Sequence, residues 1–308
     1  MAITLRQLAY FAALARHRNF GRAAASCHVS QPALSVQIRD LEAHLGAPLV
    51  ERRAREALLT AFGQSVLPRA EEALRAARAV EEMGRHQSGT VRGLRLGLIP
   101  TLAPYLLPGV LARLRAADIG MDLEVQEAKT EALLGRLDDG ALDAAVVALP
   151  VDGVSAVALF EDRFVLAGAA TAVDRLPRGL RPDGLGQGRL LLLEDGHCLA
   201  DQALEVCGRD RSGDRITMGA TSLATLTRLA AEGFGMTLLP ESAIPDETRG
   251  LSGLALRRFS GSEPGRQVGL VRRRTTPAAP WFDDLAQTLS EVGLGLIRLA
   301  REAVPLAD

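Results

Sequence analysis

Apolar residues in the first 90 positions recur every three to four residues, which is the period of an amphipathic helix. The pattern predicts three short helices and one long helix, at about residues 4–16, 21–27, 31–45 and 61–87. Residues 49–52 and 56–60 predict two short strands around a tip rich in arginine. The long helix has an apolar stripe that no neighbouring segment covers, so we expect a helix of a second subunit to pack against it.

From residue 93 onward, strand-like and helix-like patterns alternate, after a linker at about residues 88–92 that begins with Ser88-Gly89. Strands are predicted at residues 94–99, 121–126, 143–149, 164–167, 190–193, 215–218, 236–239 and 267–271. Helices are predicted at residues 103–117, 130–138, 222–232 and 281–300. The alternation indicates an α/β domain with a mostly parallel sheet. We expect two α/β lobes joined by crossing strands, with the last segment returning to the first lobe.

Composition excludes several classes of protein. The length of 308 residues predicts two or three domains. No apolar run reaches the roughly 18 residues of a membrane span and the first residues lack a signal pattern, so we expect a cytoplasmic protein without membrane contact. No metal-ligand cluster, nucleotide-binding loop or Ser/His/Asp constellation is evident, so we expect no metal, no cofactor and no enzyme. The three cysteines are too few for a disulfide scaffold; Cys27 fits core packing, which leaves Cys198 and Cys207.

The net charge of −1 conceals an uneven distribution, because residues 1–60 carry eight arginines against four acidic residues. A basic segment on an acidic body is typical of a DNA-contacting module. The small Ala23 and Ala24 and a turn of about three residues fit a helix-turn-helix. Its exposed polar residues would reach base edges, and the arginine tip would contact phosphates or the minor groove. The predicted DNA-contacting residues are Ser30, Gln31, Pro32, Ser35, Gln37, Arg39, Arg52, Arg53 and Arg55. The alternative is a helical packing module with a solvated arginine loop.

Residues 193–207 contain the other two cysteines, Cys198 and Cys207. The turn Asp195-Gly196 places Cys198 near a helix N-terminus, where free N–H groups and the helix dipole favour a thiolate, and a protonated His197 would add to this effect. A single helix over residues 198–207 would hold the two Cα atoms about 13 to 14 Å apart. A disulfide tolerates only about 4.4 to 6.8 Å, so closing the pair requires the segment to unwind, as in a two-state switch. The alternative is two unrelated core cysteines.

The run Val29-Ser30-Gln31-Pro32-Ala33-Leu34-Ser35 follows Ala23-Ala24 and precedes Ile38, Leu41-Glu42, Leu45-Gly46 and Leu49. This pattern resembles the DNA-binding domain of LysR-type transcriptional regulators. The resemblance implies a winged helix-turn-helix over residues 1–60, a linker and dimerisation helix over 61–88, and a two-lobed, periplasmic-binding-protein-like α/β domain over 93–308. Lobe I would comprise about residues 93–162 and 266–308, and lobe II about residues 163–265. The family further implies homodimers that assemble into homotetramers on double-stranded promoter DNA and act on RNA polymerase.

A second run, Glu194-Asp195-Gly196-His197-Cys198-Leu199 with Asp201-Gln202-Ala203 and Cys207 after it, resembles the cysteine segment of the peroxide-sensing OxyR branch of this family. The resemblance implies that Cys198 reacts with hydrogen peroxide, that Cys207 closes a disulfide with it, and that antioxidant genes are thereby controlled. It implies further residues that position peroxide or supply positive charge: Thr101, Thr130, His197, Arg228 and Arg266. A cellular thiol reductant, of the glutaredoxin or thioredoxin system, would be a partner.

One departure concerns the strand before Ala220, where members of this branch carry a histidine and an arginine and this chain has Thr217 and Gly219. The change removes two cations unless Arg215 substitutes for them, and we expect altered peroxide sensitivity. Two other functions stay open at this point. One is a LysR-type regulator that binds a small organic effector between the lobes, without thiol switching. The other is a thiol peroxidase with an attached DNA-binding module.

Overall fold

The structure is a computed structural model that describes residues 2–52, 56–86, 93–116, 123–177, 179–185, 190–208, 220–276 and 280–305. The chain divides into two compact units, Met1–Gly89 and Thr90–Asp308. The predicted linker at 88–92 and the predicted strand at 215–218 lie outside the described residues.

In its described residues, the first unit consists of four helices and a hairpin. Its elements are α1 (Leu5–His17), α2 (Phe20–Ser26), α3 (Gln31–Leu45), β1 (Val50–Arg52), β2 (Ala57–Leu59) and α4 (Ala61–His86). The predicted elements are confirmed to within one or two residues, because their ends are set locally. The Ser30 hydroxyl accepts a hydrogen bond from the Ala33 N–H at the start of α3, and Gly46, at φ +75°, ends that helix.

The core of the first unit holds the helix-turn-helix together. Ala23 and Ala24 are buried, which lets α2 approach α3 closely, and Leu34 and Ile38 fill the contact from α3. Cys27 is half-buried and packs against this core, as predicted.

The second unit contains seven strands and seven helices in its described residues, besides two short 3₁₀ turns. They are β3 (Leu94–Leu98), α5 (Ala103–Ala116), β4 (Leu123–Glu127), α6 (Thr130–Asp138), β5 (Ala144–Leu149), β6 (Val154–Ala169), α7 (Ala170–Val173), α8 (Cys198–Val206), α9 (Leu223–Ala231), β7 (Thr237–Pro240), α10 (Ile244–Glu247), β8 (Leu254–Arg257), β9 (Gly265–Arg273) and α11 (Pro280–Ala303).

The expectation of a mostly parallel sheet is wrong. The strand order is β4-β3-β5-β9-β6-β7, with β8 also paired to β6. Among the named strands of the described residues, β3 alone pairs in parallel, with β4 and β5, while β9 and β6 make antiparallel pairs with each other and with their other neighbours. The predicted strand at 190–193 is reduced to isolated bridges from Leu190 to Met236 and from Leu193 to Ala220. Parallel pairing needs a crossover connection, and the long strands β6 and β9 instead run antiparallel through the middle of the unit.

Two buried cores define two lobes. The first core lies around β3, α5, α6, β5 and most of α11, and the second around the end of β6, α8, α9 and β7. The paired strands β6 and β9 join the lobes, and α11 packs its residues Trp281 to Ile297 on the first core and Ala300 on the second. The unit thus has two long strands that run between its cores and a final helix that packs mainly on the first core. Within the described residues, no helix has the length and apolar character that crossing a membrane requires.

Candidate functional site

A tight turn positions Cys198 as the first residue of α8. The Glu194 N–H donates to the Ala220 carbonyl (3.0 Å), which fixes the turn to the second lobe. Gly196 has φ +87°, a conformation that favours glycine, and His197 then caps the helix in an extended conformation. The sequence Asp195-Gly196 therefore places Cys198 at the helix N-terminus, as predicted.

The two thiols occupy opposite ends of α8. Cys198 is half-buried and packs against the core of the first lobe, whereas Cys207 is buried in the core of the second lobe at the C-terminal cap. No disulfide joins any of the three cysteines. An intact helix of this length separates its ends by about 13 to 14 Å, so the structure holds the pair apart as the spacing predicted.

Thr101 and Arg266 are brought together in a buried cluster where β6 pairs with β9. Arg266 lies opposite Asp162 in the strand register, and its guanidinium donates to Asp162 Oδ2 (2.9 Å) and to Thr101 Oγ1 (2.8 Å). Both charged side chains are fully buried. Because the Thr101 hydroxyl oxygen accepts from Arg266, its own proton is left to donate elsewhere. The sequence indicated Thr101 and Arg266 but missed Asp162, the counter-charge that permits a buried arginine.

Thr101 and Thr130 lie at the same edge of the first lobe. They follow the carboxyl ends of the parallel neighbours β3 and β4, and ligands of open α/β sheets bind at such an edge. The Thr130 hydroxyl oxygen is buried and has no hydrogen-bond partner among the described residues, and the same holds for Gln202 Oε1. Gln202 lies one helical turn after Cys198, and sequence reasoning missed it although the i, i+4 spacing was a usable signal.

The surroundings of His197 favour a neutral imidazole. His197 is buried, and its Nε2 lies 3.7 Å from Glu194 Oε1, which also accepts from Lys129 Nζ (3.0 Å). Burial, and then the positive charge of Lys129, lower the pKa of His197 below its ordinary value. The hydrogen bond from Lys129 lowers the pKa of Glu194. The prediction that a protonated His197 stabilises a Cys198 thiolate is therefore not supported. A neutral His197 ring can still form a hydrogen bond with peroxide.

Arg228 does not share the buried setting of Arg266. It is exposed on α9, and its Nη1 donates to the Ala224 carbonyl of the same helix (3.0 Å). Arg215, Thr217 and Gly219 lie outside the described residues.

The outer face of α3 carries four of the nine predicted DNA-contacting residues. Gln31, Pro32 and Arg39 are exposed and Ser35 is half-buried at the edge of the same face. Gln37 is half-buried and, at 100° per residue, lies about 160° around the helix from Arg39, so the structure does not place it on this face. Arg52 ends β1, and Arg53 and Arg55 lie outside the described residues.

Val36 is the residue of this face that sequence reasoning missed. It is 41% exposed between the polar side chains, one turn after Pro32. An exposed aliphatic residue on such a helix can contact a thymine methyl group in a major groove. Val36 lies four residues after Pro32 and three before Arg39, and this helical spacing was the signal available in the sequence.

Comparison with known proteins places this geometry in a family. A model described as the LysR substrate binding domain matches residues 87–293, and one described as the bacterial regulatory helix-turn-helix protein, lysR family, matches residues 5–64. The DNA-binding transcriptional dual regulator OxyR of Escherichia coli (strain K12) is 39% identical over 290 residues, 93% of this chain and 95% of the relative. This chain belongs to the OxyR branch of the LysR-type transcriptional regulators. The expected fold class is thereby confirmed.

Two further relatives agree with this membership. A probable hydrogen peroxide-inducible genes activator of Mycobacterium avium is 41% identical over 295 residues, 94% of each chain. A solved structure of a cysteine-to-serine mutant of Corynebacterium glutamicum OxyR, with H2O2 bound, matches with a TM-score of 0.64 at 34% identity and covers all of both chains. The family consists of transcriptional regulators, which is not a class of enzyme.

The lowered pKa of His197 leads to a prediction for this OxyR-branch regulator. In an NMR titration of the protein labelled at histidine, we expect the His197 ring to titrate below about 6.5, and His197→Gln identifies its signal. The variant Lys129→Met should raise that midpoint, because it removes a positive charge. His197 then contributes stability that is present above about pH 6.5 and is lost as the pH falls through its folded pKa. A midpoint at or above 6.5 in the wild type would contradict this description.

Proposed function

We propose that this chain is a hydrogen-peroxide-sensing, DNA-binding transcriptional regulator that controls antioxidant genes and is switched by oxidation of Cys198 and a Cys198–Cys207 disulfide. The observation that carries the proposal is the placement of the thiols. Cys198 starts a helix at the edge of the first lobe, and Cys207 ends the same helix inside the second lobe. The Mycobacterium avium relative is named a probable hydrogen peroxide-inducible genes activator, and the Corynebacterium glutamicum OxyR structure holds H2O2, which supports peroxide as the signal.

The proposed reaction has two steps. The Cys198 thiolate attacks one oxygen of H2O2, so that an S–O bond forms, the O–O bond breaks, and hydroxide leaves and takes up a proton to become water. The Cys207 thiol then attacks the sulfenic sulfur, which forms the S–S bond and releases a second water. A cellular thiol reductant of the glutaredoxin or thioredoxin class returns two electrons and two protons.

Five residues would position the peroxide, four of them directly and Arg266 through Thr101. The proton of the Thr101 hydroxyl, the Thr130 hydroxyl, which has no partner among the described residues, and the neutral His197 ring would supply donors and acceptors for its two oxygens. Arg266 would act through Thr101, whose hydroxyl it orients. We include Gln202 because its buried Oε1 has no hydrogen-bond partner in the part of the chain that the structure describes, and we give Arg228 no role because it is exposed.

We further propose that each domain has the function predicted from the sequence. Residues 1–60 bind promoter DNA, residues 61–88 form the dimerisation helix, and residues 93–308 sense peroxide. Two copies, and then four, would bind the promoter and engage RNA polymerase. The outer face of α3 supports base contact through Gln31, Pro32, Ser35 and Arg39, now with Val36. Acting as a regulator in the cytoplasm, the protein would not remove peroxide with sustained turnover as an enzyme does.

Promoter binding leads to a prediction for α3. Gln31→Ala should weaken binding to a promoter fragment by about five- to 150-fold, which corresponds to about 1–3 kcal/mol for a lost bidentate base contact. Fluorescence anisotropy at fixed salt measures the change, and Gln64→Ala, at a glutamine of α4 that is also exposed, is the matched control. Equal affinities for the two variants would contradict base contact by Gln31.

Transcription with purified components tests the proposed function. Transcript from a target promoter should change after one equivalent of H2O2 and return to its initial level after a dithiol reductant is added. A regulator that binds a small organic effector between the lobes would ignore peroxide. In that case the proposed function is wrong and the thiols are incidental.

A further inference from the structure

The side chain of Lys129, the only lysine in the sequence, crosses from one lobe to the other. Lys129 precedes α6, a helix whose Leu133 and Leu137 lie in the first core. Its Nζ donates to Glu194 Oε1 (3.0 Å) and to the carbonyl oxygen of Asp195 (2.6 Å), both in the turn of the second lobe that leads into Cys198.

The contact also covers Gly196. A Cβ atom built on Gly196 would lie 3.1 Å from Lys129 Cδ, so the lysine stem packs directly over the turn. The turn is thus held from two sides: the Glu194 N–H binds Ala220 of its own lobe, and Lys129 binds it from the other lobe.

We infer that Lys129 is a positioning residue that fastens the Cys198 turn to the first lobe in the reduced protein and is released when the Cys198–Cys207 disulfide forms. The inference rests on the proposed function.

Geometry supports release. Closing the disulfide from an intact α8 requires the two Cα atoms to approach by at least about 6 Å. Cys198 is the less buried thiol, and only two residues separate it from Asp195. Movement of Cys198 by that distance carries the turn away from Lys129 and lengthens both hydrogen bonds beyond contact.

The strength of the contact suits a reversible switch. Lys129 and Glu194 are about 37% and 41% exposed, and ion pairs at such exposure contribute little and are screened by salt. Because the contact stabilises only the reduced arrangement, Lys129→Met should favour the disulfide about two- to fivefold. That change makes the reduction potential of the thiol pair about 10 to 20 mV more negative.

The first test uses the unaltered protein. An amine-acetylating reagent followed by peptide mass spectrometry reports the reactivity of Lys129, with the chain's α-amino group as internal reference. The hydrogen-bonded ammonium should react slowly in the reduced protein and at least threefold faster after oxidation. In Cys198→Ser treated with the same peroxide, the rate should not change.

The second test measures the thiol–disulfide equilibrium in glutathione buffers. Lys129→Met should shift it toward the disulfide, Lys129→Arg should restore it because a guanidinium can reach both oxygens, and high salt should narrow the difference. If the wild type forms no Cys198–Cys207 disulfide, the proposed function itself fails. If the disulfide forms but neither Lys129 reactivity nor the equilibrium changes, only the role of Lys129 is wrong.

Discussion

Cys198→Ser should abolish the response of transcription to hydrogen peroxide. A serine hydroxyl is not ionised at neutral pH and does not form a sulfenic acid, so the first oxidation step is lost completely. A reporter fused to a target promoter should respond to peroxide in the wild type and stay at the level of the reduced protein in the variant.

Cys27→Ser is the matched control for this experiment. The same chemical change is made in the first unit, where Cys27 packs at the edge of the core. We expect Cys27→Ser to keep its peroxide response, and Cys207→Ser to reach sulfenic acid without the disulfide. A normal response to peroxide in Cys198→Ser would contradict the proposal that Cys198 is the residue that reacts with peroxide.

The second large effect concerns the stability of the paired strands that join the lobes. Asp162→Ala should lower the free energy of unfolding by about 3–5 kcal/mol, because it leaves the buried Arg266 guanidinium without its counter-charge. The same substitution removes the acceptor of the Ser242 N–H and hydroxyl, at 2.9 Å each. Urea unfolding of the purified protein measures the change.

Asp152→Ala is the control, because Asp152 is exposed on the loop before β6. We expect this variant to unfold within about 0.5 kcal/mol of the wild type. A loss below about 1 kcal/mol for Asp162→Ala would mean that Arg266 finds another partner or water, and that Thr101 is not held as described.

Features that depend on a few consecutive residues were predictable from the sequence. The period of the apolar residues predicted α3, and Ser30 and Gly46 predicted where it begins and ends. The Asp195-Gly196 turn predicted the start of α8. Caps and turns act over three to five residues, so their signals are present in the sequence itself. The separation of Cys198 from Cys207 followed from helix geometry alone.

Features that depend on distant pairing were not predictable in this way. The antiparallel pairing of β6 with β9 joins segments about 100 residues apart, so alternating patterns gave the wrong sheet type. Asp162 and Lys129 were missed because their partners, Arg266 and Glu194, are 104 and 65 residues away. Thr101, Thr130 and Arg266 came from the family resemblance, and the structure adds the contacts that explain why Arg266 is buried.

The most direct test of the switch is thiol mapping by mass spectrometry, before and after one equivalent of hydrogen peroxide. We predict alkylatable thiols at all three cysteines in the reduced protein. After oxidation we predict a linked pair of peptides containing Cys198 and Cys207, with Cys27 still free to react. If Cys198 and Cys207 both remain thiols, or if Cys198 stops at sulfenic acid with Cys207 unchanged, the disulfide switch proposed for this regulator is contradicted.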